Sequence, residues 1–102
     1  MTLATLPKDT RGTNIQVLGI GTTQTFTVNA TSAQSTAISN SNIVRILSTT
    51  NCHILMGTNP TATTSEIFIS AFVPEYFEIT VNDKIAAIRN TDDGIIYITE
   101  MV

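Results

Sequence analysis

Tryptophan is absent from this chain, and cysteine and histidine occur once each, as the adjacent pair Cys52 and His53. A single cysteine excludes an internal disulfide. One cysteine and one histidine cannot assemble a zinc-type ligand set. Neighbouring residues on a strand point to opposite faces, so this pair cannot work as a nucleophile with its base. The pattern instead turns Cys52 inward and leaves His53 at a surface or an interface.

Charge is scarce too. Charged residues make up 13% of the 102-residue chain, against roughly 25% in average soluble domains. The basic ones (Lys8, Arg11, Arg45, Lys84 and Arg89) are scattered through a chain of net charge −3. Nucleic acids and anionic membranes call for a clustered positive footprint, so neither is expected as a partner. No apolar run approaches bilayer-spanning length. No basic stretch followed by an apolar segment succeeds Met1, so no signal peptide is expected and synthesis is assigned to a reducing cytoplasm.

Helix signals are missing as well. Glutamate, lysine and arginine are few, and no window joins an apolar stripe at helical spacing with capping residues. Gly19-Ile20-Gly21 lacks both a third glycine and a following helix, so it is not a dinucleotide loop. Asn29-Ala30-Thr31 matches a glycosylation sequon, a chance match in a chain with no secretion signal.

What the chain does have is threonine, serine and asparagine around a 42% hydrophobic content, enough for one core. Threonine suits pleated strands, and serine and asparagine suit turns. A surface this poor in charge is weakly protected against association, which fits a chain that docks into an assembly. Residues 1–14 show no periodicity and hold the densest charge cluster, Lys8, Asp9 and Arg11; they read as an extended N-terminal arm.

From residue 15 to residue 102 short apolar runs alternate with turn-rich clusters. Candidate strands span 15–18, 24–28, 43–48, 52–56, 66–70, 76–81, 84–88 and 95–101, with a short edge strand within 30–38. Asn82-Asp83 suits a tight hairpin, because both residues tolerate positive φ; Asp92-Asp93-Gly94 offers similar chemistry. The pattern predicts an all-β fold: an antiparallel β-sandwich, jelly-roll-like, of about eight short strands.

Several strands are apolar on both faces, notably 43–47, 54–56, 67–69 and 95–98. A two-layer sandwich buries only one face of each sheet. The second faces must be covered by the arm, by loops or by another subunit; the surplus is assigned to oligomer contacts, with a homotrimer expected and a dimer as the alternative.

Carboxylates add little chemistry. Glu75 and Glu78 are an odd spacing apart and so lie on opposite faces of a strand, unable to pair as acid and base. Asp83, Asp92 and Asp93 contain no full calcium ligand series, and hairpin turns account for them. No enzyme activity, cofactor or metal is expected.

The stretches TSAQSTAIS, CHILMGTNPTATTSE, AFVPEYFEI, KIAAIRNTDDG and IYITEM, within residues 25–101, resemble a group of small virion proteins of tailed bacteriophages that decorate or cement the capsid. The resemblance implies a β-sandwich on the outer capsid surface, with the major capsid protein as partner and the virion as its location after synthesis in the host cytoplasm. The contact residues expected on that reading are Leu3, Leu6, Lys8, Asp9 and Arg11 in the arm. Phe68 and Phe72 are the expected apolar anchors, since Ile67 and Ile69 take the opposite face. The alternative is a receptor- or glycan-binding module at a tail fibre. It is weakened by the lack of tryptophan and by the placement of Tyr76 and Tyr97 inside strands.

Overall fold

The structure is a computed structural model that describes residues 19–102. The expected arm at 1–14 and the first expected strand at 15–18 lie outside the described residues. Eight strands follow: β1 (Ile20–Val28), β2 (Ala33–Gln34), β3 (Ile43–Ser48), β4 (Cys52–Gly57), β5 (Ile67–Ile69), β6 (Glu75–Glu78), β7 (Lys84–Arg89) and β8 (Gly94–Met101). No helix occurs among the described residues.

Two four-stranded antiparallel sheets result, ordered β1-β8-β3-β6 and β2-β7-β4-β5. Every connection except the one from β4 to β5 crosses between the sheets. That alternation is jelly-roll connectivity, as the strand count and turn spacing predict. The inward side chains close one core. Val28, Val44, Ile46, Ile96 and Ile98 come from the first sheet, and Cys52, Ile54, Ile69, Ile85 and Ala87 from the second. Strands β3 and β8 run side by side with Ile46 opposite Ile98, so β-branched residues fill the pleats of both strands.

Several local expectations change. Residues 20–22, which fall between the expected strands, instead open β1, and a bulge between Ile20 and Thr23 absorbs the register. Gly19 and Val102 exchange backbone hydrogen bonds of 2.8 and 2.9 Å. A Cβ at Gly19 would sit 2.7 Å from the Val102 carbonyl oxygen, so the contact requires glycine.

The Asn82-Asp83 turn forms, with Asn82 at φ 75° and the Asp83 N–H donating to the Thr80 carbonyl at 3.0 Å. It does not close a hairpin, because β6 and β7 belong to different sheets. The expected 76–81 strand ends at Glu78, where the chain turns to another partner. Ile79 N–H donates to Asn42 O at 2.8 Å, and Asn82 N–H to Ile38 O. The connection from β7 to β8 likewise crosses, pinned by Arg89–Asp93 at 2.6 Å.

The expected 66–70 strand shortens to Ile67–Ile69. Beyond Ser70 the backbone leaves the ladder, and Ala71 N–H donates to the Asn51 side-chain oxygen at 2.8 Å.

Candidate functional site

Cys52 is fully buried in the core. Burial pushes its thiol pKa up from 9.0, and a hydrogen bond with the Ser48 side chain opposes part of that shift. His53 points to the other side of β4, as strand alternation requires, yet it is covered, with only 8% exposure. Nδ1 lies 3.1 Å from the Glu66 carbonyl oxygen, Nε2 lies 3.1 Å from Asn90 Oδ1, and the Phe68 ring meets the imidazole edge-on at 5.4 Å.

Glu75 and Glu78 alternate along β6. Glu75 is half-buried in the inner row opposite Ile46, and Glu78 is exposed opposite Ile43. Asp93 is committed to Arg89, and the Asp92 carbonyl accepts from the Thr50 hydroxyl at 2.8 Å. Among the described residues no three His, Cys, Asp or Glu side chains come together.

Of the expected contact residues, Leu3, Leu6, Lys8, Asp9 and Arg11 lie outside the described residues. Phe68 and Phe72 are both displayed, at 47% and 70% exposure. On β5 only Ile69 enters the core; Ile67 sits at the open end of the edge strand and is exposed too. Phe72 holds a left-handed backbone at φ 61°, a region that bulky residues rarely enter. Its N–H donates to the Ser48 carbonyl at 2.8 Å, which ties the turn to the end of β3. Ile67, Phe68, Phe72 and Val73 are thus all exposed, on β5 and in the segment after it.

A second surface was not singled out residue by residue from sequence. On the outward face of β1-β8-β3-β6, register aligns Thr25, Tyr97 and Leu47 in one row. Thr23, Thr99, Arg45 and Tyr76 make the next row. Tyr76 and Tyr97 are 55% and 38% exposed, so lying inside strands does not hide them. The signal for this face was the doubly apolar reading of β3 and β8. It gave the surplus and not its members, because the register that groups them is a long-range property. Ile20, Thr23, Arg45, Tyr76, Thr99 and Met101 line a shallow pocket of about 340 Å³ on this face, and the Thr23 and Thr99 hydroxyls bond to each other at 2.9 Å.

No family model matches the sequence, and comparison with curated proteins and with solved structures found no similar chain.

Proposed function

We propose that this chain is a non-enzymatic structural module of a tailed-phage virion that binds the outer capsid surface and cements or decorates the shell. The observation that supports this reading best is Phe72. The chain adopts a costly left-handed conformation at a phenylalanine and leaves that ring in solvent. A strained residue kept in an ordered turn is a reason to look for function there. With exposed Val73 next to it and exposed Ile67 and Phe68 a few residues before it, the ring supplies the kind of apolar anchor that dominates protein interfaces. The major capsid protein is the proposed partner, with Leu3, Leu6, Lys8, Asp9 and Arg11 adding contacts. Many copies, each with a modest interface, hold a shell by their number. Self-association completes the coat, as a homotrimer or a dimer.

Binding only to the assembled shell stabilises it in proportion to occupancy. Particles lacking the protein should release their genome at lower temperature than complete ones. Added wild-type protein should restore the difference, and a Phe68→Ala/Phe72→Ala double variant should not. Equal heat resistance with and without the protein would sink the reading.

One observation favours the alternative of a glycan-binding module at a host-attachment structure: exposed Tyr76 stands beside Arg45 and two threonines in the pocket of the first sheet. That reading expects unchanged particle stability and reduced adsorption to host cells.

A further inference from the structure

The outward face of β1-β8-β3-β6 carries a cation and an anion on neighbouring strands. Arg45 of β3 stands opposite Tyr76 and Glu78 of β6 stands opposite Ile43, so the two charges occupy adjacent rows. Strand alternation puts both outward, since Val44 and Ile46 on β3 are buried and Phe77 on β6 packs against the core. The only ion pair among the described residues is Arg89–Asp93, so neither Arg45 nor Glu78 meets an opposite charge there. Around them the face mixes threonines (Thr23, Thr25 and Thr99) with Ile43 and Leu47, which are partly open to solvent, and with the exposed Tyr76 and Tyr97.

From this arrangement we infer that the β1-β8-β3-β6 face is a self-association surface on which two copies of the chain pair about a two-fold axis through reciprocal Arg45–Glu78 contacts. An isologous interface requires that residue i meet residue j and that j meet i. An axis lying between two apposed faces and bisecting the line from Arg45 to Glu78 satisfies this. It carries each Arg45 onto Glu78 of the partner subunit and each Glu78 onto Arg45 of the partner subunit. The face is thus charge-complementary to itself. A guanidinium fork can take a carboxylate by two parallel N–H···O bonds. Tyr76, Ile43 and Leu47 beside the pair would exclude water, where such contacts are stronger than on an open surface. The symmetry selects a dimer over the expected trimer: a threefold ring joins unlike surfaces head to tail and cannot place one face upon itself. The inference rests on the geometry of this face and is independent of whether the chain coats a capsid.

The test is sedimentation equilibrium of the whole chain. The wild type should sediment as a dimer of the 11.0 kDa chain at micromolar concentrations. Arg45→Glu and Glu78→Arg each juxtapose like charges at both symmetry-related contacts, and each should weaken association at least about 100-fold. The double variant, Arg45→Glu with Glu78→Arg, restores opposite charges and should return to within about tenfold of the wild type. Circular dichroism of each variant confirms folding. Should a reversal unfold the sandwich, Arg45→Gln and Glu78→Gln remove the charge without reversing it and should weaken association about tenfold. The inference is overturned by a wild-type chain that stays monomeric up to millimolar concentration, or by a trimer. Folded single variants that associate like the wild type also overturn it, as does a double variant that is no tighter than the singles.

Discussion

Nε2 of His53 lies 3.1 Å from Oδ1 of Asn90 while Nδ1 faces the Glu66 carbonyl oxygen at the same distance. A carbonyl only accepts, so Nδ1 carries a proton. A neutral imidazole then has only a lone pair left at Nε2, and it needs a donor from Asn90. The two ends of an amide are interchangeable in shape, so an Asn90 turned with its NH2 toward the ring supplies that donor. In the neutral form the Nδ1–H tautomer should dominate, and long-range ¹⁵N–¹H spectra of the ring report it directly. Asn90→Ala leaves Nε2 without its partner in a covered site and should cost about 1–3 kcal/mol in urea unfolding. A loss below a few tenths would mean that water replaces the amide.

Cys52 should behave as an inert core thiol. Burial holds its pKa above 9.0, with the Ser48 hydrogen bond opposing. The folded state therefore keeps this proton more tightly than the unfolded chain. The corresponding stability is fully present below the ordinary thiol value and is lost as pH rises from there through the folded-state pKa. Unfolding free energy should decline above pH 9.0, and Cys52→Ala should remove the part of that decline due to the thiol. Native protein should resist thiol reagents that label the urea-unfolded chain at once.

Core and outward faces should differ sharply under mutation. Ile46 and Ile98 are opposite each other and fully buried, so either changed to alanine should cost about 2–5 kcal/mol. Leu47 and Tyr97, their sequence neighbours, also stand opposite each other, on the outer face. Leu47→Ser and Tyr97→Ser should cost the isolated domain less than half as much. Comparable losses in both pairs would mean that the outward row is buried within a single chain.

Those same residues show why part of the molecule was legible and part was not. Runs such as Ile43–Ser48 and Gly94–Met101 announce strands because β-branched and aromatic residues suit a pleat, and threonine-rich β1 announces one wet face. Pairing is another matter. Asn82 and Asp83 turn the chain equally well within a sheet or between sheets. The partners the 79–82 backbone takes, Asn42 and Ile38, are distant in sequence and leave no local sign. Gly94 shows the same limit. A Cβ there would lie 2.7 Å from both the Thr49 hydroxyl and the Thr50 methyl, so a residue that reads as turn chemistry is also needed for close packing against a distant loop. Phe68 was foreseeable as an outward residue from alternation with Ile69, but Phe72 lies in the turn beyond the ladder, and its left-handed backbone left no mark in sequence.

That backbone permits stability and binding to be separated. A non-glycine residue in the left-handed region costs about 1–2 kcal/mol. Glycine escapes that cost but loses roughly 0.5–1 kcal/mol through the greater freedom of its unfolded chain. Phe72 is mostly in solvent, so removing its ring forfeits little burial. Phe72→Gly should therefore match the wild type within about 1 kcal/mol in thermal unfolding. Phe72→Ile, whose branch at Cβ tolerates positive φ poorly, should be the least stable of the three. If the exposed ring is a shell anchor, Phe72→Gly should nevertheless bind particles far more weakly than the wild type while unfolding at nearly the same temperature. A fully stable Phe72→Gly that coats shells like the wild type would remove Phe72 from the interface. A Phe72→Gly that melts far below the wild type would instead mean that the ring packs into the domain and that the turn serves the fold.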